Sequence, residues 1–312
     1  MLIYAIRRIL WVPLVMLVIA LMVFILGIYG PGDPVEVILG NNYTEELADS
    51  LREKKGLNDP VFVQYFRYLS DSIKGDFGES YKYPGKTVSE LLAPKLIVSA
   101  KLFIVSILIS TTFGIPLGFY AAIKQGTPID PLVVSLTLII YAMPVFLTAP
   151  FLIIIFALEL GWVPVSGWGG IFDSRSILPS ITVGLPGIAV IARLMRASTL
   201  DVLGQEFIIF AKAKGVSRRD VIYKHVGKNA ILPVVTVLGL SFSGMLGGAL
   251  IVELIFGIPG VARFALDAIF SRDYPIIMAL TLIGTATLVI ANLIVDLLYV
   301  LLDPRIRYSS DN

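Results

Sequence analysis

From Ile9 to Tyr29 the chain runs for 21 residues without a charged side chain. At 1.5 Å per residue such a run crosses a hydrocarbon layer of about 30 Å. Hydrocarbon offers a backbone N–H or C=O no water, so only helices and closed barrels cross it. Five further apolar stretches recur, at about 100–123, 132–158, 177–197, 233–256 and 277–302. Only 15% of the 312 residues are charged and 56% are hydrophobic, whereas a soluble domain carries about 25% charged residues. The expected fold class is therefore all-α, a polytopic membrane protein with six transmembrane helices. Pro116, Pro144, Pro150 and Pro186 fall inside these stretches, which neighbouring helices can tolerate by satisfying the freed carbonyls. The first run is too long for a signal peptide and ends in GPGDP rather than at a small-residue cleavage site, so it reads as an uncleaved span.

Charge sets the expected orientation. Arg7 and Arg8, Lys124, the basic cluster from Arg193 to Lys228, and Arg305 with Arg307 fall on one side of a six-span layout. The 160–176 and 257–276 loops on the other side hold only Arg175, Arg263 and Arg272. The positive-inside rule places both termini in the cytoplasm. Residues 31–98 go outside, and they carry folding signals of their own. Thr44 is placed to cap a helix through EELADSLREKK that stops at Gly56. Pro60 opens a second helix, with Val61, Tyr65, Tyr68 and Leu69 on one stripe, ending before Gly75. Thr87–Glu90 reads TVSE, a capping box. The sequon Asn42-Tyr43-Thr44 is too common a tripeptide to carry weight.

Between two apolar stretches lies EFIIFAKAKGVSRRDVIYKHVGKNAILP, Glu206 to Pro233, with the chain's one histidine. EFIIFAKAK suits a short helix that Gly215 ends in the left-handed conformation. Ser217 then stands where an N-cap belongs, with Asp220 three residues on. In the second helix Val221, Ile222, His225, Val226 and Asn229 share a face, and Arg218, Arg219, Lys224 and Lys228 stay solvated. Pro233 opens the fifth span. A basic surface resting on anionic lipid fits this pattern, and so does a docking element anchored by Phe207, Ile209 and Phe210. A DNA-reading helix-turn-helix does not, because both ends are tied to spans.

FAKAKGVSRRDVIYKHVGKNAILP resembles the cytoplasmic "EAA" loop of permease subunits in binding-protein-dependent ABC importers, most closely the dipeptide/oligopeptide/nickel branch. The likeness extends along nearly the whole chain: the RR pair before the first span, GPGDP at 30–34, GLNDPVFVQYFRYL at 56–69, GDFGES at 75–80, LGWVPVSGW at 160–168, RDYP at 272–275 and LLDPRIR at 301–307. In place of the motif's Glu-Ala-Ala this chain reads Ile209-Phe210-Ala211. The resemblance implies the type I ABC importer permease fold. It makes Phe207, Phe210, Ala211, Lys214, Gly215, Ser217, Asn229 and Pro233 the ATPase-coupling residues. It implies a second, related permease as heterodimer partner, two cytoplasmic ATPase subunits and an extracytoplasmic solute-binding protein, all at a lipid bilayer and without nucleic acid. Residues 1–30 would be the first transmembrane helix and 31–98 an extracytoplasmic folded segment. The importer core would cover 99–303 with its coupling loop at 198–232, and 304–312 would be a cytoplasmic tail. Among solutes handled by the family, peptides are preferred on frequency.

Catalytic sets are missing. The sequence holds no HExxH and no GxxxxGK[ST], so ATP hydrolysis belongs on other chains, and the resemblance implies neither cofactor nor metal. The absence of cysteine excludes disulfides and thiolate sites. Gly30-Pro31-Gly32-Asp33 matches a membrane aspartyl protease pattern but reads as a turn at a membrane exit. Two acids lie within spans, Glu253 and Asp296, and each is read either as lining the pathway or as a structural hydrogen bond. Arg193 and Arg196 are expected to snorkel. Gly114, Gly118, Gly244, Gly247 and Gly248 offer close helix packing. A stand-alone secondary carrier is the other class open to such a chain; it predicts inverted repeats and more buried ion ligands.

Overall fold

In the computed structural model, the description covers residues 2–30, 33–242 and 249–302, and side chains are described from residue 9 to residue 295 except at 31, 32, 34, 41 and 243–248. Arg7, Arg8, Gly244, Gly247, Gly248, Asp296, Arg305 and Arg307 therefore have side chains outside the description. The described residues are mostly helical and form no strand beyond one isolated bridge, Glu79 with Thr87. Among the described residues four helices are long and apolar enough to cross a membrane, or five if one bent pair is a single span. Internal contacts divide the chain into two units, Met1–Ile97 with Pro259–Leu293, and Val98–Ile258 with Ile294–Asn312.

The first unit opens with α1 (Leu2–Tyr29). Ala20, Val23, Phe24 and Gly27 are its buried residues among those described, and most of its other described side chains are exposed. Helix α2 (Pro34–Leu39) is capped by Asp33, whose Oδ1 accepts from the Val35 N–H. The same carboxylate meets Arg52 at 2.6 Å. Helix α3 (Glu45–Lys54) starts on Thr44 as expected, with the Leu47 N–H donating to Oγ1. Gly56 follows it at φ +63°. Helix α4 (Val61–Ile73) follows Pro60 and ends before Gly75, at φ +80°. The capping box also forms: the Glu90 N–H donates to Thr87 Oγ1 and the Thr87 N–H to Glu90 Oε2, each at 3.3 Å. It starts α5 (Val88–Ile123), 36 residues without a break, which contains the apolar stretch expected at about 100–123.

Residues 257–276, expected to be a loop, contain α14 (Val261–Phe270). Val261, Phe264 and Ala268 are buried against Val88, Leu92, Ile276 and Ala279, and that apolar face is what orders the helix. Two of the segments quoted above, GDFGES and RDYP, meet here. Asp273 is fully buried and accepts from Ser80 Oγ at 2.5 Å and from the Tyr81 and Lys82 N–H groups at 3.2 Å each. Tyr81 is half-buried close by, and desolvation first, then the Asp273 charge, pushes its phenol up to about 12.

The second unit contains α6 (Ile129–Ala142) and α7 (Val145–Leu152), which continues in a π-helical turn, Ile153–Glu159. The straight span expected at 132–158 is instead bent by 102° between these helices. Pro144 has no N–H to continue the ladder, and it drives Met143 out of the α region, to φ −76°, ψ 118°. Helix α8 (Ile177–Leu203) is 27 residues long and is the most buried of the candidate spans. It packs against α5 so closely that a Cβ on Gly118 would lie 2.1 Å from the Ala192 carbonyl oxygen. The expected fifth span contains α12 (Leu232–Ser241) and α13 (Leu250–Ile255), with 243–248 outside the description. Helix α15 (Tyr274–Leu302) ends the described chain.

Arg196 does not snorkel. Its Nε and Nη2 donate to the two oxygens of Asp130 at 2.6 and 2.8 Å, which ties the start of α6 to α8. The guanidinium of Arg193 lies 4.5 Å from the centre of the Tyr141 ring, a cation–π arrangement. A half-buried arginine costs less when a carboxylate takes both nitrogens than when it stretches toward water from a packed helix face. Asp130→Ala should therefore lower the stability of the detergent-solubilised protein by about 2 kcal/mol, because it strands Arg196. Adding Arg196→Met should recover part of that loss. Thermal unfolding of the two variants checks both.

Candidate functional site

The helix-glycine-helix segment forms. Helix α9 (Glu206–Ala213) begins after Gln205 and places one side chain, Ile208, wholly inside. There it joins Ile191, Met195, Val202, Val221, Val226, Ala230 and Val234 in one cluster, with Ala211 packed at its edge. The helical period turns Phe207, Ile209 and Phe210 outward; they are 39%, 62% and 62% exposed. Lys214 holds its ammonium 4.8 Å from the centre of the Phe210 ring.

Gly215 ends the helix at φ +79°. The Gly215 N–H donates to the Lys212 carbonyl and the Val216 N–H to that of Ala211, which is the hydrogen-bond pair of a Schellman motif. A Cβ on Gly215 would meet nothing within 4 Å, so the dihedral alone selects glycine. Ser217 then caps the second helix. Its Oγ accepts from the Asp220 N–H at 3.1 Å and donates to Asp220 Oδ2 at 2.7 Å. Lys224, 2.6 Å from Asp220, and the Ser217 hydroxyl hold that carboxyl below the usual carboxylate range.

The second helix is not α-helical throughout. A short α turn, α10 (Arg218–Asp220), leads into π-helical Val221–Gly227 and then α11 (Lys228–Ala230). The wider turn changes which residues face inward. Val221, Val226 and Ala230 are buried, at spacings of five and four. Asn229, expected on the buried face with Val221 and Val226, is exposed, and its Nδ2 donates to the His225 carbonyl at 2.6 Å. The expectation assumed 3.6 residues per turn, and the π turn breaks that count. Arg218, Arg219, Lys224 and Lys228 are exposed as expected. Pro233 sits in the first turn of α12, where its missing N–H costs nothing. A shallow pocket of about 330 Å³ lies behind the bend, lined by Ile123, Leu203, Lys212, Val216, Arg218, Val221 and Ile222.

Of the two span acids, Glu253 is fully buried and Oε1 accepts from Ser99 Oγ of α5 at 2.7 Å. Asp296 lies outside the residues whose side chains are described. The Asp130–Arg196 pair and the Ser99 partner of Glu253 were not legible beforehand, because 66 and 154 residues separate the partners.

Residues 114–308 match the family of binding-protein-dependent transport system inner membrane components, and residues 1–86 match its N-terminal part. Among curated proteins, a probable peptide ABC transporter permease of Sinorhizobium fredii is 38% identical over 98% of this chain and 99% of its own. The oligopeptide transport system permease OppB of Haemophilus influenzae is 40% identical over 85% of this chain and 87% of its own. A glutathione transport system permease of Shigella flexneri is 36% identical over 99% of this chain and 100% of its own. Among solved structures, an amino acid ABC transporter shares the fold at a TM-score of 0.53 and 18% identity, over 67% of this chain and 93% of its own. With two family matches in register, relatives aligned from end to end and a helical architecture rich in apolar spans, this chain belongs to the inner-membrane permease subunits of binding-protein-dependent ABC transporters.

Proposed function

We propose that this permease subunit imports peptides as one half of a pair with a related permease, driven by two cytoplasmic ATPase subunits that grip its 206–233 segment. The observation that carries the docking assignment is the pairing of a wholly buried Ile208 with exposed Phe207, Ile209 and Phe210 on the same short helix. Exposed apolar side chains on a fixed mount are the usual anchors of a protein interface. Phe207 and Phe210 are the contacts, and Lys214 shields the Phe210 ring. Ala211 seats the helix on the cluster, Gly215 sets the bend and Ser217 fixes the direction of the second helix. Asn229 and Pro233 close the segment at the membrane. Glu253 serves as a buried structural partner of Ser99.

In this scheme the chain has six spans, with both termini and the coupling loop, 198–232, in the cytoplasm. Residues 1–30 are the first span, 99–303 the core and 304–312 the tail. Residues 31–98 lie on the outer side, where a solute-binding protein delivers its cargo. Peptide cargo is favoured because the relatives' names cite peptide, oligopeptide and glutathione transport. ATP hydrolysis takes place on the partner chains.

Gentle solubilisation of the native membrane, followed by mass spectrometry of what co-elutes with this chain, tests the assembly. Two ATPase copies and a second permease are expected; the chain alone or in homo-oligomers would overturn it. Docking is tested at the side chains. Phe210→Asp should weaken ATPase binding by about 2–4 kcal/mol. Phe172→Ala, at a fully exposed phenylalanine outside the segment, should leave it unchanged. Gly215→Val strains a positive φ by about 1–2 kcal/mol. It should reduce peptide uptake per ATP hydrolysed in reconstituted vesicles, and undiminished uptake would refute the coupling role.

A further inference from the structure

We infer that α4 (Val61–Ile73), assigned above to an outer folded segment, is an interfacial helix embedded in the bilayer leaflet on the Tyr29 side of α1. The helix has three faces. Tyr65, Tyr68 and Ser72 share the first. The Tyr65 and Tyr68 rings lie 5.4 and 5.7 Å from that of Phe24. Phe62, Phe66, Leu69 and Ile73 fall within about 60° of the helix circumference and form the second. Phe62, Phe66 and Ile73 are 65%, 63% and 79% exposed. Arg67, Ser70 and Asp71 lie on the remaining side; Arg67 pairs with Asp59 at 2.5 Å and Asp71 with Lys74 at 3.8 Å.

Depth along α1 decides what covers the apolar face. Phe24 lies five positions before Tyr29, about 7 Å along the helix axis. Tyr65 reaches further in, donating its hydroxyl to the Leu17 carbonyl at 3.0 Å. That carbonyl is about 18 Å from Tyr29, more than halfway through the candidate span Ile9–Tyr29. A hydroxyl at that depth needs a protein acceptor, since no water is there to serve. The α4 backbone thus crosses α1 where an amphipathic helix ordinarily rests, with its apolar side about 5–10 Å into the headgroup and acyl boundary. At the same depth Leu21, Met22, Ile25 and Leu26 of α1 are also exposed and face acyl chains if α1 spans. On a water-covered segment three such exposed side chains in one stripe, Phe62, Phe66 and Ile73, would be an unprotected apolar patch. The occupant inferred is the acyl region itself, and the inference does not depend on ATPase docking.

The sequence has no cysteine, so single cysteines report without background. Phe62→Cys, Phe66→Cys and Ile73→Cys sample the apolar stripe; Arg67→Cys and Ser70→Cys sample the polar side. Each full-length variant is spin-labelled and reconstituted, with its co-purifying subunits, in phosphatidylethanolamine–phosphatidylglycerol nanodiscs. Collision rates are measured with oxygen and with a water-soluble nickel chelate. Labels at 62, 66 and 73 should favour oxygen over nickel by about tenfold relative to labels at 67 and 70, as expected for acyl against aqueous surroundings. Equal nickel access on both faces would mean a water-exposed helix and overturn the inference. Low access to both reagents at 62, 66 and 73 would mean that protein covers the stripe, and would also overturn it. All five positions are solvent-exposed, so the substitutions remove little packing, and a melting temperature for each variant verifies the fold before its label is read.

Discussion

In hydrocarbon a backbone N–H or C=O that lacks a partner costs several kcal/mol, and the break between α6 and α7 is arranged around that cost. At the Met143–Pro144 break the Met143 N–H still reaches the Ile139 carbonyl, and the Pro144 carbonyl is taken by the N–H groups of Leu147 and Thr148. The Thr148 hydroxyl also donates to it. Serines within α5 solve the same problem for their own hydroxyls. Ser106 donates to the Leu102 carbonyl, and Ser110 is placed to donate to Ser106 of its own helix or to Gly184 of α8, at 2.8 Å each. The second option requires α5 and α8 to approach closely, which Gly114, Gly118 and Gly184 permit.

Charges near the spans obey the same rule. Asp130 gives both oxygens to Arg196, Glu253 takes the Ser99 hydroxyl, and Arg193 lies over an aromatic ring. Each partner belongs to a different helix, so every one of these contacts also fixes how two helices are paired. A charged group satisfied in this way holds helices together; to contribute to a pathway it would first have to release its partner. That favours the structural role for Glu253 over an acid lining the pathway.

Local chemistry was legible in the sequence, and long-range pairing was not. Thr44, Pro60, the Thr87–Glu90 box, Gly215 and Ser217 all act within four residues of themselves, and all stand where capping rules put them. Four or five of the six expected spans stand among the described residues as long apolar helices, visible beforehand because apolar length needs no partner to be recognised. The bend at Pro144 was signalled by a proline, but others did not break their helices: Pro116 lies within unbroken α5 and Pro186 within α8. Residue type alone could not say which would bend. The π turn at Val221–Gly227 was invisible for a related reason. Val221, Ile222, Val226 and Ala230 suit several helical periods, and only packing against Ile208 and Met195 selects one. Helix α14 was missed although VARFALDAIF carries an apolar face, because the basic and acidic residues beside it drew the segment toward a loop.

The coupling proposal depends on stiffness rather than on any one contact. A partner that pushes on Phe207 and Phe210 moves the membrane helices only if the intervening backbone does not yield first. Ile208 is locked in a cluster that includes Ile191 and Met195 of α8 and touches Ile115 and Phe119 of α5. The Schellman hydrogen bonds at Gly215 and the Ser217 cap leave the bend little freedom to open. The second helix then buries Val221, Val226 and Ala230 in that same cluster. A load on the exposed phenylalanines is therefore passed to α5 and α8 together, through side chains packed at the density of a protein core. The Glu-Ala-Ala of the general motif is replaced here by Ile209-Phe210-Ala211 without loss of that mount, because Ile208 and Ala211 face inward while Ile209 and Phe210 face out. Under the docking proposal the motif's outer positions are the ones left to match a partner surface, and its inner ones are held by the permease itself.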